Sequence, residues 1–292
     1  MYVPDLIKKT VIAYALALSL TILSATGTGQ TAWELDRKSA GGFIARMWRT
    51  TACEEIQKAQ SPSLARTGRG DLLLLFSHQP DGQKKTVLAT SRSTDEGKTW
   101  SSPMTAHTPA GDSARALGTL TCLNSGRLIA PFIDDGIVKL LRSADDGTTW
   151  NATTAIDNSP LAEATPHGRL LETDNEVLMP VFGKLDISQR QAPCSGLLRS
   201  RDGGQTWGDF TVMACDREKG QMEYGPAAIV AGPQGDLLAL ISVGSTYLYR
   251  TISSDGGQTW SKPEQRLLAC NPALTRMGET VACVNQDSQV RG

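Results

Sequence analysis

The chain is poor in the residues that metal and redox centres need. Its three histidines, His78, His107 and His167, stand singly, and its six cysteines include no Cys-x-x-Cys pair. Zinc held by closely spaced His and Cys ligands, and thiol redox chemistry at a paired motif, are disfavoured from the outset. No metal and no cofactor is expected. A surplus of charge is also missing, because 29 Lys+Arg face 30 Asp+Glu for a net charge of −1. Nothing electrostatic therefore argues for nucleic acid or an acidic membrane surface as a partner. No apolar run reaches the roughly 20 residues that span a hydrocarbon core. Apolar residues still make up 40% of the chain, enough for a packed globular protein.

The nearest approach to a membrane span is Val11 to Leu23. Lys8 and Lys9 precede it, and the small residues Ser24, Ala25, Thr26 and Gly27 follow it. A basic start, a short apolar stretch and a small-residue end make an export signal, with an uncleaved anchor as the alternative. Residues 1–27 are read as that signal, and the mature chain is expected to be secreted or periplasmic, with no membrane span once the signal is removed. Cys53, Cys122, Cys194, Cys215, Cys270 and Cys283 all lie beyond it. In an oxidising compartment they could pair, or several could remain buried thiols, and spacing does not choose.

An internal repeat decides the architecture. One octapeptide occurs four times, as Ser93-Thr-Asp-Glu-Gly-Lys-Thr-Trp100, Ser143-Ala-Asp-Asp-Gly-Thr-Thr-Trp150, Ser200-Arg-Asp-Gly-Gly-Gln-Thr-Trp207 and Ser253-Ser-Asp-Gly-Gly-Gln-Thr-Trp260. Successive tryptophans are 50, 57 and 53 residues apart, which suits one four-stranded sheet per repeat. Each copy sits between strand-like runs and reads as a hairpin turn. Its Asp can accept hydrogen bonds from the turn's own N–H groups, its Gly can take a positive φ, and its Trp can wedge into the sheet. The aspartates are thus read as structural.

A second repeat, strand, polar turn and strand, precedes each box: residues 62–76, 117–131, 166–180 and 225–240, with a fifth copy at 271–283. Hairpin, third strand, box and fourth strand make one blade of a β-propeller. Five first hairpins but only four boxes leave the last blade incomplete. In residues 28–58, the apolar run Gly42 to Trp48 is the candidate closing strand, which would protect an open sheet edge. The propeller itself is assigned to residues 59–292.

The four boxes, one per blade, resemble the Asp-box (BNR) repeats of the sialidase superfamily. The resemblance implies an all-β, six-bladed, sialidase-like β-propeller. The segment from Glu223 to Leu240 looks like the blade of that family that carries a glutamate just before a first strand. The family grips a sugar carboxylate with three arginines, whose guanidinium forks suit that group. It reacts through a Tyr activated by Glu, with an Asp as acid/base. This chain departs from the pattern: Gln60-Ser61-Pro62 stands where an Arg-Ile-Pro sequence would be, and Ile241 to Gly244 where a second arginine would fall. The arginine triad is not matched and the nucleophilic tyrosine has no assigned position.

In this strand order the boxes share one face with the turns between first and second strands. The other face, where ligands meet a propeller, carries the segments leading into each first strand and the loops between second and third strands. Gln60, Arg115, Glu163, Glu223, Tyr224 and Asn271 lie in the leading segments, with His78, Asp81, Asp134, Asp135, Lys184 and Asp186 in the loops. Glu223 and Asp81 are the candidate catalytic carboxyls, and Arg115, Gln60, Tyr224 and Glu163 the candidate substrate contacts. The expected activity is that of an exported sialidase-like exo-glycosidase on terminal sugars of extracellular glycans; a non-catalytic propeller binding a glycan or a protein is the alternative. Arg69-Gly70-Asp71 matches an adhesion tripeptide, but Gln234-Gly235-Asp236 occupies the same turn in another blade, so hairpin geometry accounts for it.

Overall fold

The computed structural model describes residues 21–26, 32–36, 59–80, 82–117, 119–154, 159–188, 190–218, 220–232, 234–277 and 280–287. The candidate closing strand Gly42 to Trp48, the catalytic candidate Asp81 and the first twenty residues of the expected signal lie outside them. Among the described residues the structure is all-β and antiparallel, and its sheets are those of a β-propeller. No helix there is long and apolar enough to cross a membrane.

Two compact units divide the chain. The unit containing Arg46–Thr153 holds two sheets. The first is built from Gln60–Arg66, Leu72–His78, Val87–Ser93 and Met104–His107 in sequence order. The second follows with Ala114–Ala116 and Thr121–Cys122 as a split first strand, then Leu128–Asp134, Ile137–Ser143 and Asn151–Thr154. Leu73, Leu75, Leu88, Leu128, Phe132 and Leu141 fill the space between them, all nearly or wholly buried. The second strands read as near-continuous apolar runs because both of their faces are covered.

The unit containing Thr154–Gly292 holds the third and fourth sheets and a fifth assembled from distant segments. The third uses Leu161–Pro166 and Leu171–Glu172, then Val177–Ile187, Arg190–Ser200 and Gly208–Cys215. The fourth uses Tyr224–Ala231, Leu237–Val243, Tyr247–Ser253 and Glu264–Leu267. In the fifth, Ala269–Met277 pairs with Thr280–Asp287, which pairs with Thr21–Thr26 and, beyond it, Ala32–Asp36. Leu178, Leu197, Met213, Ala227, Leu237 and Ile241 pack the third sheet against the fourth.

The repeated octapeptide forms the same turn four times. Its fourth and fifth residues are left-handed in every copy: Glu96 and Gly97 at φ 61° and 83°, Asp146 and Gly147 at 57° and 83°, Gly203 and Gly204 at 70° and 84°, Gly256 and Gly257 at 70° and 82°. The box serine donates to the box aspartate at 2.7 to 2.8 Å and accepts from the fifth residue's N–H at the same range. The aspartate also takes the threonine's N–H and hydroxyl. Each carboxylate is thereby held well below the usual range. Asp95 falls to about 2 through the Thr99 hydroxyl first, then the Thr99 N–H and Ser93. Asp145 falls to about 2 through the Thr149 N–H, then the Thr149 and Ser143 hydroxyls. A carboxylate so fully engaged by its own turn is a structural group.

A second contact recurs between consecutive sheets. Ser77 accepts the Ala116 N–H at 3.1 Å in one unit, and Ser242 accepts the Asn271 N–H at 3.0 Å in the other. Both serines are the next-to-last residue of their sheet's second strand. Each ties down the start of the following sheet's first strand, the part of the fold that reaches the ligand face.

Candidate functional site

First strands start irregularly. Register shifts fall between Gln60 and Ser63, Ala162 and Thr165, Tyr224 and Ala227, and Cys270 and Ala273. Three of these bulges carry a non-glycine residue at positive φ: Ser61 at 50°, Glu163 at 56° and Asn271 at 52°. A bulge re-aims side chains at a strand end, and such backbone strain gathers at functional sites. The leading segments are therefore shaped locally for something other than continuing the ladder.

In the unit containing Arg46–Thr153, Gln60 pairs with Ser77 and Arg115 with Ile133. Since both partners are the sixth residue of a seven-residue second strand, Gln60 and Arg115 hold equivalent positions in consecutive sheets. Both are exposed, and among the described residues the Arg115 guanidinium makes no ion pair or side-chain hydrogen bond. The loop residues beside them are engaged. Asp134, only 3% exposed, receives Lys139 Nζ at 2.6 Å and contacts His107 Nε2 at 3.1 Å. Asp135 accepts the N–H groups of Gly111, Asp112 and Ser113, which hold its carboxyl below the usual range, Ser113 first.

In the unit containing Thr154–Gly292, Glu163 pairs with Lys184 at 2.9 Å, and both are exposed. Two of the sequence candidates thus face each other as an ion pair. Tyr224 is 8% exposed and packs in the core between the third and fourth sheets, edge-on to Tyr249 with ring centroids 6.0 Å apart. Burial, then Tyr249 and Asp216, pushes its hydroxyl up, so it stays protonated. This places Tyr224 as a packing residue of the core.

Among the carboxylates just described, Glu223 differs. Its side chain is exposed and makes no ion pair or side-chain hydrogen bond among the described residues, while the backbone around it is tied on both sides. Gly244 N–H donates to the Glu223 carbonyl at 3.3 Å, and Ser195 Oγ donates to the Gly225 carbonyl. Upstream, the Asp216 carboxylate accepts the N–H groups of Gln221 at 2.8 Å and Met222 at 3.2 Å. Asp216 follows Cys215, which is disulfide-bonded to its cross-strand partner Cys194 with Cα atoms 4.4 Å apart. The sequence left the disulfide pairing open, and Asp216 and Arg190 carry no motif that would have marked them.

Arg69-Gly70-Asp71 is a hairpin turn. Asp71 is paired with Arg92 at 2.8 Å and Arg69 with Asp146 at 2.7 Å, so both charged ends are engaged within the fold. Among the described residues no group of three or more His, Cys, Asp or Glu could hold a metal ion.

A family described as "BNR repeat-like domain" matches residues 134–290, more than half of the chain. None of the curated proteins matches the sequence. Among solved structures, a Dyadobacter fermentans protein of unknown function is 18% identical with a TM-score of 0.63, covering 80% of each chain. An intramolecular trans-sialidase from Ruminococcus gnavus, in complex with oseltamivir carboxylate, is 15% identical with a TM-score of 0.55 over 73% of this chain and 71% of its own. A Penicillium chrysogenum alpha-L-arabinanase complexed with arabinobiose is 17% identical with a TM-score of 0.56 over 80% and 79%. At these identities the likeness is one of fold.

Proposed function

We propose that this chain, which belongs to the BNR repeat-like domain family and has a sialidase-like β-propeller fold, is an exported exo-glycosidase that removes terminal sugars from extracellular glycans. One observation carries the reading: the backbone at Glu223 is fixed by neighbouring strands while its carboxylate is left exposed and unengaged. A fold that fixes the backbone bearing a carboxylate without neutralising the carboxylate keeps that group available for proton transfer or for a developing positive charge. Asp81 is the second carboxyl of the proposal, and Arg115 and Gln60 the sugar contacts. Solved structures of like fold include a trans-sialidase and an arabinanase, which supports a sugar as ligand without selecting one.

A second reading, a non-catalytic glycan-binding propeller, is favoured by the burial of Tyr224 and by the engagement of Glu163 with Lys184. Both remove candidates from the ligand face. Turnover of a panel of aryl glycosides separates the readings: hydrolysis abolished in Glu223→Gln supports the enzyme, and glycan capture without hydrolysis supports the binder. A wild-type chain that neither hydrolyses nor binds any sugar on a glycan array contradicts both.

A further inference from the structure

The segment between the third sheet's last strand and Glu223 is more heavily restrained than a connection requires. Its root is the cross-strand pair Cys194 and Cys215. From there Asp216 folds its carboxylate forward onto the N–H groups of Gln221 and Met222, closing the segment on itself immediately before Glu223. Arg190, at the start of the third sheet's third strand, lays its Nη2 against the carbonyls of Asp216 at 3.2 Å and Arg217 at 2.8 Å. Gly220 lies beneath the same guanidinium: its φ is 63°, and a Cβ there would collide with Arg190 Nη1. The positive φ is what favours glycine there, and its missing side chain leaves room for the guanidinium.

We infer that Asp216–Glu218 and Gly220–Met222 act as a strap whose purpose is to present Glu223, with Arg190 and Asp216 as positioning residues that act through the backbone without touching the ligand. The inference rests on the functional reading of Glu223 and adds the device that sets its position. Three restraints of different kinds converge on one short segment: a side-chain carboxylate closing it, one guanidinium nitrogen donating to two carbonyls, and a covalent anchor at its root. Arginine suits the bridging role, since the two N–H bonds of Nη2 lie in the rigid guanidinium plane and can each meet one carbonyl, where lysine offers a rotating point charge. Small displacements of a reacting group are costly, so a catalytic residue gains from a support of this kind.

The test uses the full chain and the variants Asp216→Asn, Asp216→Ala and Arg190→Gln. Amide hydrogen exchange is read at Gln221 and Met222, and kcat and KM are read on the best aryl glycoside. Asp216→Asn keeps an acceptor oxygen and is expected to stay close to wild type. Asp216→Ala and Arg190→Gln are expected to speed exchange at both amides by about tenfold, the loss of roughly one net hydrogen bond, and to lower kcat while KM changes less than about twofold. Thermal unfolding confirms that each variant is folded, and Asp216→Asn keeps the comparison readable if Asp216→Ala is not. Unchanged exchange in Asp216→Ala and Arg190→Gln overturns the strap. So does faster exchange with unchanged kcat in a protein that Glu223→Gln inactivates. A wild-type chain without turnover sinks the catalytic reading alone, and the strap then stands or falls on exchange at Gln221 and Met222.

Discussion

Arg199 reaches from the third sheet into the next sheet's box, donating through Nη2 to the Gly256 carbonyl at 3.0 Å. Arg92 makes the same contact in the other unit, donating to the carbonyl of Asp146. In both cases the arginine directly precedes a box serine, and the acceptor is the fourth residue of the following box. The octapeptide therefore does two jobs: it closes its own hairpin and offers a carbonyl to the preceding sheet.

Arg199 is only 2% exposed and also contacts Glu176 at 3.2 Å and Thr211 Oγ1 at 2.9 Å. Truncating one partner of a buried charged network leaves the other uncompensated. Arg199→Ala is expected to destabilise the fold by about 3 kcal/mol, and Arg199→Lys by nearly as much because the fork is lost. Urea unfolding measures both; a change below about 1 kcal/mol in Arg199→Ala would show that the guanidinium is not a structural link.

Gly147 has a φ of 83°, and a Cβ placed on it would lie 2.5 Å from Leu73 Cδ2 and 3.2 Å from Leu128 Cδ1. Gly147→Ala combines backbone strain with overpacking, for an expected loss of about 2 kcal/mol. Gly126, also at positive φ but with nothing within 4 Å of an added Cβ, is the comparison. Gly126→Ala should cost about half as much or less, strain alone. Equal losses at the two positions would contradict the packing argument.

The box aspartates predict how stability responds to acid. Their folded-state values lie below the unfolded value of about 3.9, so each contributes stability that is fully present above that pH and lost as pH falls through the folded value. For Asp95 and Asp145 the window runs from about 4 down to about 2. Asp145→Asn should be less stable than wild type at pH 6, with the difference narrowing steadily across that window. A difference that stays constant to pH 2 would mean that the charge on Asp145 is not what the turn uses.

His167 works in the same direction at higher pH. Burial lowers its imidazole below the ordinary value, so the unfolded chain takes up a proton before the folded one does. Stability should decline as pH falls below about 6.5, and His167→Gln should flatten that part of the curve. A slope unchanged in the variant would contradict the assignment.

The fold was legible because its signals are local. The hydrogen bonds that close each box onto itself join residues no more than four apart, so Ser, Asp, Gly and Thr at fixed spacing encode the turn by themselves. The structural role of the aspartates could be read for the same reason. The ligand face was legible only as a set of positions. Whether Glu163 is available depends on Lys184, 21 residues away, and whether Tyr224 is available depends on the packing of two sheets. Neither relation leaves a pattern in the chain. The bulges were half-written: Pro follows the irregular residue at Ser61, Gly225 and Asn271, but Glu163 is followed by Ala164. The strap ahead of Glu223 was invisible, since its Arg190 comes from a strand that precedes it by two elements.

Hydrolysis of aryl glycosides by the wild-type chain and by Glu223→Gln tests the central claim most directly. Measurable turnover is expected in the first and a loss of at least about a hundredfold in the second, with both proteins melting at the same temperature. Equal turnover in the two would remove Glu223 from the chemistry and with it the functional assignment of this face.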